Sequence, residues 1–228
     1  MFKKNLQLII SFIIIVACVS FTGFYNLNNF NSEQKFEYLR NKVQIVNEKP
    51  IYKESEETDE LLPSKYSNID KENKNIVGWI SNSERIDYPI MYCSDNYYIH
   101  KDINDKYSFA GSLYTRDRGT DVIVIYGHNM KNGSMFGTIK NYKDLDGSSF
   151  IYSDLEYDYK LDLKCYCVVD VNDFEFSNSV SKFVSNVSNY IINGSLDDLS
   201  DNSKLVVLCT CNNSKTSRDL LVLEYKKN

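Results

Sequence analysis

Two apolar runs near the C-terminus constrain this chain more than any other feature. Lys204-Leu205-Val206-Val207-Leu208-Cys209-Thr210-Cys211 and Arg218-Asp219-Leu220-Leu221-Val222-Leu223-Glu224-Tyr225 are largely aliphatic, with β-branched residues in each. Asn212 to Ser217 between them are mostly small polar turn formers, so the pattern predicts an antiparallel hairpin. With a loop of those six residues, Cys211 faces Arg218, their Cβ atoms about 5 Å apart. A strand-end thiol opposite a guanidinium adds little to a core. A nearby cation does stabilise a thiolate, which makes Cys211 a candidate nucleophile.

Such a thiol needs a base, and the chain has two histidines. His128 ends the run Val122-Ile123-Val124-Ile125-Tyr126-Gly127-His128, apolar at nearly every position and therefore read as a strand buried on both faces. Gly127 is read as the point where the backbone turns. Two strands then deliver Cys211, Arg218 and His128 to one rim, the arrangement that thiol-based nucleophilic catalysis requires. His100, between Ile99 and Lys101, is read as a surface or rim histidine.

These residues carry a resemblance. Leu208-x-Thr210-Cys211 followed by Arg218 resembles the active-site signature of sortases, and Tyr126 to Phe136 resembles the histidine segment of class B sortases. Asn75-Ile76-Val77-Gly78-Trp79-Ile80, Ile86-Asp87-Tyr88-Pro89-Ile90, Asp95-Asn96-Tyr97-Tyr98 and Gly111-Ser112-Leu113-Tyr114 follow that class in order, over roughly residues 35–226. The chain departs from the pattern at Val207 and Cys209, and its loop to Arg218 is short for the class. The resemblance implies a closed β-barrel with an N-terminal helical region. It also implies a cysteine transpeptidase that cleaves a C-terminal sorting motif after Thr, through a thioester, and joins the protein to a cell-wall peptide amine. Asn96 and Thr210 match positions near the family's peptide groove. No cofactor is implied.

The rest of the chain fits that outline. Lys3 and Lys4 precede about 20 mostly apolar residues, long enough to span a bilayer, and leave the N-terminus inside and the remainder outside. A cleaved signal peptide or a lipidated Cys18 are the rival readings, but the apolar run continues past Cys18 to Phe24. Residues 1–25 are thus read as the anchor, 26–74 as a polar linker with N-terminal helices, and 75–228 as the catalytic barrel. Within the linker, Phe36, Leu39, Val43 and Val46 recur at helical spacing over Glu33 to Asn47. Glu54 to Glu60 is an acidic run read as a solvated helix start or linker, and a short helix is expected over Ser67 to Lys74.

Strands are expected at Val77–Ser81, Ile86–Tyr92, Ser112–Thr115, Val122–Tyr126, Tyr157–Val171, Leu205–Cys211 and Leu220–Tyr225. A short helix is expected over Met135–Tyr142, capped by Ser134, and a second helix over Phe174–Ile192 from its apolar stripe. Many short strands with helices packed outside make a mainly β barrel. The net charge of −5 becomes −7 without the two anchor lysines, which argues against a nucleic-acid partner.

Cys165-x-Cys167 and Cys209-x-Cys211 each place both thiols on one strand face. Zinc sites more often use C-x2-C turns, so Cys93, Cys165, Cys167 and Cys209 are read as small buried apolar residues, and no metal site is assigned. Two other readings use the same sequence: a surface cysteine peptidase with water as acceptor, and a non-catalytic anchored binding domain.

Overall fold

A computed structural model describes residues 2–47, 62–82, 85–145, 149–212 and 214–225. The acidic run Glu54 to Glu60 lies outside the described residues. Helix α1 (Phe2–Asn47) is continuous, so the apolar span and the amphipathic stretch expected as separate elements form one rod. At about 1.5 Å per residue it is roughly 70 Å long. Its C-terminal part buries Phe36, Leu39 and Val43 against the body of the protein, whereas Leu6 to Phe24 leave their large apolar side chains exposed.

The strands are β1 (Leu62–Pro63), β2 (Ile76–Asn82), β3 (Asp87–Tyr92), β4 (Leu113–Thr115) and β5 (Val122–Tyr126). They continue with β6 (Phe150–Ser153), β7 (Tyr157–Asp170), β8 (Ile191–Gly194), β9 (Leu205–Cys211) and β10 (Ser217–Tyr225). Eight of them close a barrel in the order β7-β10-β9-β5-β4-β3-β2-β6, with β6 returning to β7. Strands β1 and β8 pair with β7 outside the ring. The ring has no free edge, which removes the liability of an exposed strand.

Two apolar clusters sit on the two faces of this sheet. The barrel interior holds Ile80, Ile90, Leu113, Ile125, Phe136, Phe150, Val206, Leu208, Leu221 and Leu223. The outer face of β5, β7, β9 and β10 carries Val122, Val124, Cys165, Cys167, Val207, Cys209, Leu220 and Val222. Phe174, Val180, Phe183 and Val187 cover that face from helix α2 (Val180–Val187) and the segment before it. Alternation along β9 thus feeds both clusters, with Cys209 outside and Leu208 inside.

Several local expectations change. Phe174–Ile192 is not one helix: α2 covers eight residues, a 3-10 turn follows at Ser188–Tyr190, and Ile191 begins β8. Over Ser67–Lys74 the helical part is a 3-10 turn at Ile69–Lys71. Only Ile139–Tyr142 of the Met135–Tyr142 stretch is helical, again as a 3-10 turn. Met135 has φ +52° and bridges Asn129, and the Phe136 amide donates to the His128 carbonyl (3.0 Å). These bonds close residues 128–136 into a loop that a helix beginning at Met135 would break.

Candidate active site

The hairpin has the expected register. Cys211 pairs with Arg218 at the loop end of β9 and β10, and the Asn212 amide donates to the Ser217 carbonyl (3.0 Å). Strand β5 runs parallel to β9 with Tyr126 opposite Cys209, so His128 emerges beside Thr210 and Cys211. Three bonds lock the strand ends together. The Gly127 amide donates to the Cys209 carbonyl (3.1 Å), Thr210 Oγ1 to the Gly127 carbonyl (2.7 Å), and Asn129 Nδ2 to the Cys211 carbonyl (2.8 Å).

Gly127 is needed for space rather than for a turn. A Cβ there would lie 2.4 Å from Leu113 Cδ2 and 2.6 Å from the Phe136 ring. Its φ is not positive, so the end of β5 at Tyr126 does not call on the left-handed freedom of glycine.

His128 is half-buried. Its Nε2 lies 2.8 Å from the Ile99 carbonyl, which can only accept, so Nε2 carries the proton and Nδ1 is the basic atom of the neutral ring. The carbonyl is itself held tightly: a Cβ on Gly111, at φ +62°, would come within 2.3 Å of the Ile99 oxygen. Burial pushes the His128 pKa below the ordinary 6.5; the bond to Ile99 opposes that shift, and nearby His100 adds to it. The two imidazoles are stacked, with centroids 5.2 Å apart and planes 29° apart. His100 is thus an exposed rim residue, as expected, but one in contact with the candidate base.

The remaining expected residues are placed as follows. Arg218 Nη1 donates to the Lys215 (3.1 Å) and Ser217 (2.9 Å) carbonyls, so one arm of the guanidinium braces its own loop. It does not pair with Asp219, which accepts from Tyr166 Oη (2.8 Å) and Asn212 Nδ2 (2.7 Å). Thr210 lines the groove, but its hydroxyl is committed to Gly127. Asn96 also lines it, and its Oδ1 accepts from Tyr114 Oη (2.8 Å) and from Arg116.

Among the cysteines, Cys211 is exposed. Cys165, Cys167 and Cys209 are buried, and burial pushes the Cys209 thiol up to about 12. Cys93 is only half-buried, which corrects its reading as a core residue; its thiol donates to the Asp95 carbonyl (3.2 Å).

Cys211, His128 and Arg218 open into one groove of about 340 Å3, walled by Tyr114, Tyr126, Phe174 and Phe176. Arg116 lines it too, its guanidinium 5.0 Å from the Tyr126 ring centroid. Sequence reasoning missed Arg116, although it directly follows the expected strand Ser112–Thr115, and the strand-end logic applied to Arg218 would have found it. His100 gave no such signal, because only the crossover from β3 to β4 brings it near His128.

Comparison with known proteins follows the same lines. No protein-family model matches the chain. Sortase B of Listeria monocytogenes is 27% identical over 203 residues, covering 79% of this chain and 81% of that protein. Sortase B of Staphylococcus aureus is 24% identical over 148 residues, 62% of this chain and 57% of that protein. A Staphylococcus aureus sortase B–substrate complex matches with TM-score 0.71 at 19% identity, covering 88% of this chain and 99% of that one. A Bacillus anthracis protein similar to sortase B matches with TM-score 0.65 at 23% identity, covering 82% and 94%.

The closed eight-stranded barrel is the fold of the sortase B structures, and the curated relatives named sortase B support a sortase, a cysteine transpeptidase. Both of those relatives carry the name sortase B, so the similarity supports class B within the sortases.

Proposed function

We propose that the protein is a membrane-anchored transpeptidase that cuts a C-terminal sorting motif after Thr and joins the new carboxyl end to a cell-wall peptide amine. The observation that carries this reading is the convergence of exposed Cys211, half-buried His128 and Arg218 on one groove, at the ends of hydrogen-bonded strands.

Cys211 sulfur attacks the threonine carbonyl as thiolate, with its proton on His128 Nδ1. Arg218, opposite Cys211, stabilises the oxyanion or the substrate backbone near it through the part of its fork not spent on the loop carbonyls. The His128 imidazolium then protonates the leaving amine, and a thioester remains on Cys211. The neutral ring takes a proton from the incoming amine as that amine displaces the thiolate. Asn96 sits on the groove wall and positions Arg116 for the bound peptide. Thr210 acts through Gly127, fixing the backbone from which His128 projects.

The apolar part of α1 is long and hydropathic enough to cross a bilayer, which supports a single-pass anchor with the barrel outside. Substrate proteins and wall precursors would then meet at the outer membrane face. The test is product analysis by mass spectrometry, using peptides of NPxTx and xPxTx types with and without an added amine. Cleavage after Thr with transfer to the amine, lost in Cys211→Ala, is expected. Cleavage that never captures the amine would make the protein a peptidase.

A further inference from the structure

Cys211 lies where two hollows meet. The second, of about 550 Å3, shares only Cys211 with the groove just described. The ends of β5 and β9 lead from one into the other, with His128 in the first and Asn129 in the second. The two differ in chemistry. The first is walled by aromatic rings, whereas the second is lined by Arg85, Lys131 and Lys140 with several asparagines and, among the described residues, no carboxylate.

None of these three cations makes an ion pair among the described residues. Asp144 and Asp219 lie in an adjoining hollow that also includes Lys140, and Asp219 is buried and held by Tyr166 and Asn212. Thr138 lines the cationic hollow, is 5% exposed, and its hydroxyl has no hydrogen-bond partner among the described residues. In a chain of net charge −5, a cation-only hollow beside the nucleophile is not an average of composition.

We propose that this hollow is the acceptor site and that it selects an amine bearing a carboxylate close by. The proposal rests on the acyl-transfer reading of Cys211. Once the peptide occupies the aromatic groove as a thioester, the amine has to arrive from elsewhere, and the cationic hollow is the other opening at Cys211. Fixed positive charge attracts the acceptor's carboxylate and disfavours the ammonium form of its amine, leaving the nitrogen lone pair free to attack. In the step itself the amine nitrogen bonds to the thioester carbon and the C–S bond breaks. Cys211 departs as thiolate, and the proton lost from nitrogen goes to His128.

The test has two arms, both on the full chain in detergent. The first compares alkylation of Cys211 by iodoacetate and by iodoacetamide, site-resolved by mass spectrometry, in the wild type and in Lys131→Gln/Lys140→Gln. The second offers Nα-acetyl-lysine or Nα-acetyl-lysinamide as acceptor, with a sorting peptide that the wild type cleaves. The proposal expects the carboxylate-bearing acceptor to be used on the order of tenfold faster at low salt. Both that preference and the iodoacetate advantage should shrink in the variant and at high salt. An unchanged alkylation ratio in the variant overturns the proposal, as does Cys211-dependent cleavage with no carboxylate preference. Absence of any Cys211-dependent cleavage overturns the acyl-transfer reading itself, and the acceptor assignment with it.

Discussion

His128 is held from two directions, by the Ile99 carbonyl at Nε2 and by the stacked His100 ring, and both contacts bear on its proton. Burial lowers its pKa below 6.5, so the ring is neutral at pH 7 and charges only as the pH falls past that lowered value. Because the folded pKa lies below the unfolded one, the unfolded chain binds the proton more readily. The contribution of this group to stability is therefore full above the unfolded value and lost as pH falls through the folded one. An NMR titration of the His128 ring should give a midpoint below 6.5, and a midpoint above it would contradict the burial argument. Thr210 gives a second expectation at this scale. Thr210→Val removes the hydroxyl that clamps Gly127 and should cost about 1 kcal/mol in denaturant unfolding. It should also slow peptide cleavage, because His128 projects from the loosened backbone.

The pairing of Cys211 with Arg218 was legible at this scale, because a hairpin with a six-residue loop allows one register. The brace from Arg218 to the Lys215 and Ser217 carbonyls was not, since a strand pattern fixes where a side chain starts and not where a long one ends. The stacking of His100 on His128 and the place of Arg116 in the groove were missed for a related reason. Their partners are set by the parallel β3–β4 pairing and its crossover, which sequence spacing does not encode.

Among the elements, β5 and β9 were readable to the residue, because both are apolar on two faces and end at polar signals. Strand β6 was not, although it closes the barrel. Four residues, Phe150 to Ser153, give too short a pattern to separate from a loop, and only their pairing with β2 and β7 makes them a strand. Helix α2 shows how an element far from the thiol shapes the groove. Phe183 is fully buried and contacts Phe174, Phe174 contacts Phe176, and Phe176 meets Tyr126 in the groove wall. Phe183→Ala should cost about 3–5 kcal/mol of stability. At temperatures where the variant remains folded, it should raise KM for peptide more than it lowers kcat, because it slackens the wall and leaves the strand ends in place. An unaltered KM would show that the wall does not depend on α2.

At the scale of the whole molecule, one helix carries both the apolar span and part of the core. The Phe109 ring packs on Phe21, Phe24 and Tyr25 of that helix, Tyr107 links Phe109 to His100, and His100 stacks on His128. A line of ring contacts therefore runs from the C-terminal end of the exposed apolar stretch to the site, a feature hidden in a sequence whose polar composition from residue 26 reads as a tether. Everything argued for the groove depends on Cys211 carrying the acyl group. The most direct measurement is the intact mass of the full chain in lipid vesicles, quenched in acid during turnover of a cleavable Pro-x-Thr peptide and followed by peptide mapping. The account predicts an adduct equal to the peptide's N-terminal part through Thr, mapped to Cys211 and discharged by added amine. Cleavage with no adduct at Cys211, or an adduct mapped to Cys93 or Cys209, would contradict it.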